Sequence, residues 1–337
     1  MTALEEKQYL LTVMIPVYNM QGYLERCIDS VLPELAEDMQ VVLVDDGSKD
    51  DSPAICDRYA NEYENISVIH QQNAGISATR NHGIQAAKGE YIYFLDSDDA
   101  AQPGIFSKFR AYIQNAESKP DMLLYDCVFV HDVTGAETDF KFPVSPQKLH
   151  YVTGQQALKQ LLVVNPSFEW YCWRYFYRRA FLIENGLQFP VGVTFEDVPW
   201  TSQCLTLAKL VDYMPEIGLR YTNCRKGSIV NSMSLKKVQD KLYIAEESCK
   251  FDMEHISDSE LLDMMLSNHG EYYVGAFRNY CYSVPEAHSD LKKHTGLCRY
   301  SKTRFGKMIY QLIRIFGFSI GSKLAKLMYY AMGLDKK

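Results

Sequence analysis

The chain has 337 residues, of which 47% are hydrophobic and 23% are charged, and its formal net charge is −7 at pH 7. This near-average composition excludes a wholly disordered chain, a collagen-like repeat and a disulfide-stapled miniprotein. The acidic balance argues against a nucleic-acid-binding protein, because such proteins need a cationic surface for phosphate. We therefore expect a globular protein of one large or two modest domains without a nucleic-acid partner.

The nine cysteines are scattered and include no Cys-x-x-Cys pair, which predicts reduced thiols in a core rather than zinc ligands or disulfides. The N-terminus, with Glu5, Glu6 and Lys7, lacks the basic region of a signal peptide. No apolar run approaches the roughly 18 residues that cross a bilayer. The sequence therefore predicts a cytoplasmic protein without a membrane-spanning segment.

Short β-rich apolar runs alternate with helical patterns over the first hundred residues. The runs predict strands at 11–17, 40–44, 66–69 and 91–95, and the helical patterns cover 22–32, 52–63 and 77–87. Near-continuous apolar strands that alternate with helices predict a parallel sheet covered on both faces. Ligands of such sheets bind at the carboxyl ends of the strands.

The pattern after residue 121 is less regular and becomes helical beyond about residue 226. It predicts, in order, a strand at 122–130, a hairpin region to about 146, a helix at 154–163 and an aromatic-rich segment at 168–177. We see no internal repeat and no low-complexity linker. The boundary near residue 226 is soft by ten residues or more.

Two acidic segments follow predicted strands, Asp45-Asp46-Gly47-Ser48 after the second and Asp96-Ser97-Asp98-Asp99 after the fourth. Carboxylates at neighbouring strand ends repel one another unless a cation or hydrogen-bond donors lie between them. A divalent metal with a phosphate-bearing ligand would relieve that repulsion. The alternative is ordinary turn and helix-capping chemistry, which Asp-Gly-Ser also suits.

Six motifs occur in an order that is hard to obtain by accident. They are Ile-Pro-Val-Tyr-Asn at 15–19, Val-Asp-Asp-Gly-Ser at 44–48, Asn-Ala-Gly-Ile-Ser-Ala-Thr-Arg-Asn-His-Gly at 73–83, Gly-Glu-Tyr-Ile-Tyr-Phe-Leu-Asp-Ser-Asp-Asp at 89–99, Phe-Glu-Asp-Val at 195–198 and Arg-Lys-Gly-Ser-Ile at 225–229. With them, the chain resembles the inverting family-2 glycosyltransferases with the GT-A fold, which build bacterial capsules, exopolysaccharides and lipopolysaccharide. The resemblance covers roughly residues 11–232.

The resemblance implies an α/β fold, with a Rossmann-like, mostly parallel sheet, helices on both faces and a helical C-terminal extension. It divides the chain into a GT-A domain at 1–225 and a helical region at 226–337. Within the GT-A domain, residues 1–105 would bind the nucleotide sugar and residues 106–225 the acceptor.

The resemblance also implies a site for a nucleotide sugar, with a UDP-sugar preferred. The residues that match the motifs of this site are Pro16, Tyr18, Asn19, Asp45, Asp46, Asn73, Gly75, Arg80, Asp96, Ser97, Asp98, Arg225 and Ser228. Tyr18 would stack on the base, and either Asp45 or Asp46 would accept a hydrogen bond from the uracil or ribose. Arg80 would reach the base or the diphosphate, and its alternative is a surface cation on a helix.

The cofactor implied is Mn²⁺ or Mg²⁺, with Asp98 as the favoured ligand. Asp96 would touch the ribose or share the cation. Asp99 would instead cap the following helix, whose first turn would contain Pro103.

Asp197 matches the general base of the family, and its alternative is an ordinary acidic first turn of a helix. Glu196 and Trp173 would bind the acceptor or support the residues that do. The aromatic residues Trp170, Trp173 and Tyr175 suit either a hydrophobic core, which is favoured, or a platform for an acceptor sugar.

The C-terminal part carries the opposite charge to the rest of the chain. Residues 291–334 contain nine Lys or Arg and no Asp or Glu, and apolar residues recur among them at intervals of three and four. This pattern predicts a cationic amphipathic helix pair, through which residues 301–337 would contact an anionic membrane surface. The alternative is a helix pair packed on the protein's own core with a solvated basic face.

These features together predict a metal-dependent inverting glycosyltransferase that moves a sugar from a nucleotide donor to a saccharide or a lipid-pyrophosphate-linked acceptor. It would be cytoplasmic or peripheral at the inner face of the cytoplasmic membrane, and a homodimer is left open. The enzymatic alternative is a sugar nucleotidyltransferase. The non-enzymatic alternative is a membrane-associated protein that binds nucleotide sugars without catalysis.

Overall fold

The computed structural model describes residues 8–166, 168–223, 234–282 and 284–333, to which every structural statement here refers. The chain divides into two compact units. Unit 1 comprises residues 1–164 and 170–228, and unit 2 comprises residues 165–169 and 229–337. The assignment of residues 1–105 to the nucleotide sugar and of residues 106–225 to the acceptor stays a prediction.

Unit 1 is an α/β structure built on one sheet. Its strands are β1 (Tyr9–Val17), β2 (Met39–Asp45), β3 (Ile66–His70), β4 (Gly89–Phe94), β5 (Ala100–Ala101), β6 (Met122–His131), β7 (Glu137–Phe140), β8 (Tyr175–Arg178) and β9 (Val211–Asn223). Its helices are α1 (Leu24–Asp29), α2 (Ser52–Glu62), α3 (Ile76–Ala86), α4 (Ile105–Asn115), α5 (Gly154–Val164), α6 (Arg179–Glu184) and α7 (Asp197–Leu207).

The strand order is β3-β2-β1-β4-β8-β6-β9-β5, with β7 paired to β6. The first four strands are mutually parallel, whereas β8 runs antiparallel to both β4 and β6. The predicted α/β class with helices around a largely parallel sheet is therefore confirmed. One detail is wrong: β1 separates β2 from β4, so the two acidic segments do not follow adjacent strands.

The positions of the loops after β1, β2 and β3 are fixed by the buried strands and by a helix packed closely on the sheet. Every residue of β2 is buried, as expected for a strand covered on both faces. Gly83 allows α3 to lie close to β1, because a methyl group at this position would come within 2.5 Å of the Met14 side chain. The loops that follow β1, β2 and β3 therefore start from a rigid frame at one edge of the sheet.

The predicted cap of α4 is wrong. The helix begins at Ile105 with Gly104 at its N-cap, so Pro103 lies outside it. Its exposed amides are satisfied by Glu34, whose carboxylate accepts from Gly104 N at 2.7 Å and from Ser107 N at 2.8 Å. Asp99 does not cap this helix, because its carboxylate accepts a hydrogen bond from Thr222 N. A local sequence pattern cannot reveal a cap that is supplied from far along the chain.

Unit 2 is helical, as predicted for the region beyond about residue 226. Its helices are α8 (Leu235–His255), α9 (Ser259–Tyr282), α10 (His288–Lys293) and α11 (Arg304–Ala331). The last is interrupted at Gly317, so the predicted C-terminal helix pair is present as residues 304–316 and 318–331. Among the described residues, no helix is long and apolar enough to cross a membrane. Seven cysteines whose side chains the structure describes are buried and unbridged, as predicted.

Candidate functional site

The turns after β1 and β2 are tied together by side chains. Pro16 lies within β1, and Tyr18, just beyond the strand, is 47% exposed. Asn19 follows in the left-handed region, with φ of 54°. Its side-chain Oδ1 accepts from Lys49 N at 2.7 Å, while its own N–H donates to Ser48 Oγ at 2.9 Å. The two turns therefore hold each other in place beside an exposed tyrosine ring.

Asp46 organises the loop that enters α3. Its buried carboxylate accepts from Gln71 Nε2 at 2.6 Å, Ala74 N at 2.8 Å and Gly75 N at 2.9 Å. Asn73 adds a bond from Nδ2 to the Asp46 carbonyl oxygen at 3.1 Å. Because these donors converge on one side chain, Asp46 fixes the position of residues 73–75.

Asp45 has fewer protein partners and one that the sequence did not suggest. Its Oδ1 accepts from Ser48 N at 3.1 Å, and its Oδ2 lies 2.9 Å from Nδ1 of His70. The other ring nitrogen of His70 lies 3.0 Å from Asp57. Hydrogen bonds to Asp45 and then to Asp57 raise the pKa of His70, against a smaller effect of burial. His70 ends β3, and that place at the carboxyl edge of the sheet was the available sequence signal.

Arg80 joins two acidic residues that are 100 positions apart in the chain. Its guanidinium is buried on α3 and donates to Glu196 Oε1 at 2.6 Å and to Asp96 Oδ1 at 2.8 Å. The ring of Phe189 lies 5.3 Å below it. The surface-cation alternative is therefore wrong, and Arg80 brings Asp96 and Glu196 to one place.

Asp197 opens α7 next to this ion-pair network. Phe195, two residues earlier, has φ of 67°, a strained backbone conformation for an aromatic residue. Burial and then the neighbouring Glu196 raise the pKa of Asp197 to about 7, while Arg80 lowers it and Asp96 raises it. Such a carboxyl can accept a proton at neutral pH. Asp197 also lies in the first turn of a helix, so the plain structural alternative describes its location correctly.

The Asp96–Asp99 loop is fastened to β9. Thr222 N donates to Asp99 Oδ1 at 2.7 Å, and Asp99 N donates to the Asp96 carbonyl at 2.9 Å. Arg26 donates to the Asp98 carbonyl at 2.6 Å and to Thr222 Oγ1 at 2.9 Å. Burial, with Asp98 and Asp96 nearby, holds the pKa of Asp99 well above its ordinary value. No sequence signal pointed to Arg26 or Thr222.

Asp96 and Asp98 are the two partly exposed carboxylates of the loop after β4. Both side chains are half-buried, whereas those of Ser97 and Asp99, in the same loop, are buried. The described residues hold no group of three His, Cys, Asp or Glu suited to a metal. A cation here would therefore have one or two protein carboxylates, which is how Mg²⁺ or Mn²⁺ binds together with substrate phosphates.

The aromatic residues form a core and a partly exposed ladder. Trp170, Trp173 and Tyr175 are buried, so the favoured core interpretation is confirmed. Around Trp173, five rings pack in a row, which we call the aromatic ladder: Tyr171, Trp173, Tyr221, Phe129 and Phe140. Neighbouring rings are stacked except for Tyr221 and Phe129, which are tilted by 52°.

The middle ring of the ladder, Tyr221, lies next to the residue that holds the Asp96–Asp99 loop. Tyr221 precedes Thr222, which holds Asp99, and it packs on Trp173 with ring centroids 5.1 Å apart. Apart from Trp173, the ladder rings are each partly exposed. A stacked, half-exposed row of rings is a surface that can bind the C–H face of a sugar. Arg225 and Ser228, the remaining predicted site residues, lie outside the described residues.

The connected turns after β1, β2 and β3, a pair of half-buried aspartates and a carboxyl with a raised pKa thus occur in one α/β unit. The chain belongs to glycosyl transferase family 2, whose family model matches residues 12–181.

Two curated relatives and one solved structure illustrate this membership. The uncharacterized glycosyltransferase EpsJ of Bacillus subtilis is 33% identical over 210 residues, which is 61% of this chain and 59% of EpsJ. The poly(ribitol-phosphate) beta-glucosyltransferase of Bacillus spizizenii is 27% identical over 278 residues, 78% of this chain and 40% of that protein. The matched regions therefore span less than two thirds of these relatives.

The crystal structure of S. aureus TarS 1-349 in complex with UDP-GlcNAc aligns with a TM-score of 0.73 and 19% identity. The alignment covers 96% of this chain and 92% of that chain. The likeness supports a GT-A-type sheet domain followed by a helical region.

Proposed function

We propose that this protein is a metal-dependent inverting glycosyltransferase that moves a sugar from a UDP-sugar to a saccharide or lipid-linked acceptor in surface polysaccharide synthesis. The observation that carries the proposal is the ion-pair network in which Arg80 joins Glu196 to Asp96 directly beside Asp197. Burial in this place also raises the pKa of Asp197. The names of the relatives support the substrate class, since TarS was crystallised with UDP-GlcNAc and a poly(ribitol-phosphate) glucosyltransferase is among them.

The nucleotide would bind along the turns after β1, β2 and β3. Tyr18 would stack on the uracil, and Asp45 would accept a hydrogen bond from the base or ribose. We assign this role to Asp45 because Asp46 already accepts three hydrogen bonds from its own loop. Pro16, Asn19, Asn73 and Gly75 would shape the pocket, with Arg225 and Ser228 near the diphosphate.

Asp98, with Asp96 beside it, would hold Mn²⁺ or Mg²⁺ against the two phosphates. When bound, the cation would neutralise charge that develops on the departing nucleoside diphosphate. Asp96 accepts a hydrogen bond from Arg80 at 2.8 Å, which fixes its direction. Arg26 holds the loop from the other side through the Asp98 carbonyl.

Asp197 would remove the proton from the acceptor hydroxyl as that oxygen attacks the anomeric carbon. A single displacement of this kind inverts the configuration at that carbon. A pKa of about 7 is well matched to the task, because the carboxylate is both present and basic at neutral pH. Glu196 would keep the base oriented and its pKa raised.

The aromatic ladder would bind the acceptor saccharide. Trp173 is buried, so the contacting faces would be those of its half-exposed neighbours Tyr171 and Tyr221. Their closeness to the Asp96–Asp99 loop would place a stacked sugar within reach of the donor.

Two alternatives fit the residues less well. A sugar nucleotidyltransferase needs a glycine-rich loop with a basic residue after the first strand, and here residues 18–22 read Tyr-Asn-Met-Gln-Gly. A non-catalytic nucleotide-sugar-binding protein has no need for a proton acceptor beside its ligand, which makes Asp197 hard to explain.

The test is hydrolysis of a panel of UDP-sugars to UDP in the presence of Mn²⁺. We expect release of UDP that requires the metal and is lost in Asp98→Ala, while Asp139→Ala, on β7, keeps the wild-type rate. Unchanged, metal-dependent hydrolysis in Asp98→Ala would overturn the metal assignment. Binding of UDP-sugars without any turnover, in the presence of acceptor glycosides as well, would favour the non-catalytic alternative.

A lipid-linked acceptor would place the enzyme at the inner face of the cytoplasmic membrane, with residues 301–337 as the contacting segment. A homodimer is compatible with this arrangement but is not needed for it.

A further inference from the structure

Residues 304–316 and 318–331 fold into an antiparallel pair, which we call the C-terminal hairpin. Gly317 forms the turn with φ of 70°, a conformation that side chains with a Cβ rarely adopt. Gly321 permits the close approach of the two arms, because a Cβ there would lie 2.5 Å from the Leu312 carbonyl oxygen. At the other end, the rings of Phe305 and Tyr329 lie 5.3 Å apart.

The inner side of the hairpin belongs to the core of unit 2. Phe305, Ile309, Phe318, Ala325 and Tyr329 are buried there with residues of α8, α9 and α10. The C-terminal hairpin is thus anchored in the core of unit 2. The side chains on its outer side therefore remain exposed when the unit is folded.

The outer side of the hairpin exposes large apolar side chains at its tip. Ile315 is 67% exposed, Phe316 is 48% exposed and Ile320 is 57% exposed, all within three residues of the turn. Leu327 and Tyr330 continue this surface along the second arm at helical spacing from Ile320. Concentrated exposed apolar area of this kind marks a binding surface.

Exposed cations lie along both arms of the hairpin, and Arg314 and Lys323 are the ones nearest the tip. Arg304, Lys307 and Arg314 lie at intervals of three and seven along the first arm, and Lys323 lies on the second arm. All four side chains are exposed, and within the described residues none of them forms an ion pair within 4.0 Å. Because residues 291–334 contain no Asp or Glu, no neighbouring carboxylate in this segment neutralises them.

The charge pattern selects the occupant of this surface. A second copy would bring two sets of unpaired cations together, which is unfavourable. An anionic lipid surface offers both an apolar interior for the tip and phosphates for the cations. A shallow apolar wedge or a basic patch alone binds a membrane weakly, whereas the two together give stable attachment.

We propose that the tip of the C-terminal hairpin inserts into an anionic phospholipid surface, with Ile315, Phe316 and Ile320 below the headgroups and Arg314 and Lys323 at the phosphates. The proposal rests on the membrane contact proposed above for residues 301–337 and names the side chains that make it, and it does not depend on the proposed chemistry. It concerns a contact of unit 2, whereas the proposed chemistry concerns residues of unit 1.

The test uses the full chain and flotation with vesicles of phosphatidylcholine alone or mixed equally with phosphatidylglycerol. We expect flotation with the mixed vesicles only, weakened by added salt. The triple variant Ile315→Asp/Phe316→Asp/Ile320→Asp should lower the partition coefficient about tenfold or more. The triple variant Lys307→Gln/Arg314→Gln/Lys323→Gln should lower it about a hundredfold.

Matched controls separate the hairpin from general surface effects. Val133→Asp changes an exposed apolar residue of unit 1, and Lys88→Gln/Lys148→Gln/Lys209→Gln removes the same charge from unit 1. Both control variants should float like the wild type. Circular dichroism and UDP-sugar hydrolysis should be unchanged in all variants, which keeps a failure of this proposal distinct from a failure of the proposed catalysis.

A second measurement keeps the proposal testable if one of the triple variants fails to fold. The three native tryptophans are buried, so a Phe316→Trp variant adds an exposed indole at the tip. Its emission should shift to shorter wavelength on addition of the mixed vesicles. No shift, or flotation retained by both hairpin variants, would overturn the proposal. A concentration-dependent dimer that is lost in the apolar triple variant while flotation is unaffected would assign this surface to self-association instead.

Discussion

At the residue scale, the feature with the largest consequence is the contact between Arg80 and the acidic groups around Asp197. Arg80 lowers the pKa of Asp197, whereas burial and Glu196 raise it, so the value of about 7 is a balance of opposing effects. A base in this position becomes ineffective when it is protonated. The balance therefore predicts both the pH dependence of transfer and its response to mutation.

We expect the rate of sugar transfer to rise with pH up to about 7 and then to level off. In Arg80→Gln, the loss of the guanidinium should move this acid limb to higher pH, because the pKa of Asp197 rises without the cation. The measurement is kcat/KM against pH. Arg58→Gln, on α2, serves as a control that should keep the wild-type profile. A uniform loss of rate at every pH, without movement of the limb, would assign Arg80 a purely structural role.

The same carboxyl should cost stability. Its pKa is about 7 in the folded protein and about 3.9 in an unfolded chain. Between these values the folded state holds a proton that the unfolded state has released, so stability falls as pH rises through this window. At pH 8, Asp197→Asn should therefore raise the free energy of unfolding by about 1 to 3 kcal/mol, which is less than the full pKa shift would give because the side chain keeps some contact with solvent.

Urea denaturation at two pH values checks this expectation. The gain from Asp197→Asn should become much smaller near pH 4, where the wild-type carboxyl is protonated in the folded state and about half protonated in the unfolded chain. A gain that is the same at pH 4 and pH 8 would show that the charge is not its cause.

At the element scale, the turn after β2 depends on one glycine. Gly47 has φ of 72°, and a Cβ there would lie 2.9 Å from Asn73 N and 3.1 Å from the Gln71 carbonyl oxygen. Gly47→Ala should therefore destabilise the protein by about 1 to 3 kcal/mol and weaken UDP binding, because it displaces the loop that Asp46 organises. The measurements are chemical denaturation and UDP titration.

Gly22→Ala is the matched control for this substitution. No atom lies within 4 Å of a Cβ at Gly22, and its φ is not positive. We expect a change within about 0.5 kcal/mol. Equal effects of the two substitutions would contradict the account of the turn.

The aromatic ladder gives a second prediction at this scale. Tyr221→Ala removes a ring between Trp173 and Phe129, so it should raise the KM for a glycoside acceptor about three- to tenfold. Hydrolysis of the donor by water should continue, and Tyr221→Phe should behave like the wild type. The measurement compares transfer to p-nitrophenyl glycosides with UDP release in their absence. Equal losses of both activities would show that Tyr221 supports the donor side instead.

Strands and helices could be predicted from the sequence where each one has its own pattern of apolar residues. The strands and helices of the first hundred residues occur close to their expected places because each apolar run is buried in one sheet. Contacts between distant segments could not be predicted in the same way. The cap of α4 by Glu34 and the insertion of β8 between β4 and β6 depend on residues that are neighbours only in the folded chain.

The candidate site shows the same division. Motifs identified Arg80, Asp96 and Asp197, but nothing in the sequence indicated that one guanidinium joins Asp96 to Glu196. His70 carried no motif, and its role beside Asp45 follows only from the parallel pairing of β2 and β3. The roles of these residues in catalysis stay predictions.

At the scale of the whole molecule, the net charge of −7 is the sum of two parts of opposite charge. Residues 301–337 contain eight basic residues and one acidic residue, a net of +7, so the first 300 residues carry −14. The carboxylates proposed to bind the cation and to accept the proton lie in the acidic part. The cationic part contains the C-terminal hairpin.

Ligand binding to the acidic part should stabilise the whole fold. With UDP and Mn²⁺ at about a hundred times their dissociation constants, we expect the melting temperature to rise by about 5 °C. The Mn²⁺-dependent part of the rise should disappear in Asp98→Ala and persist in Asp139→Ala. A full metal-dependent rise in Asp98→Ala would place the cation elsewhere.

The cap of α4 has a consequence for the order of folding. Glu34 lies 70 residues before Gly104, so the first amides of α4 gain their partner only after a long segment of chain has closed. We therefore expect the amide hydrogens of Gly104 and Ser107 to exchange with solvent only when the sheet of unit 1 opens as a whole. A helix start that frays in most proteins would here report the cooperative unfolding of the domain.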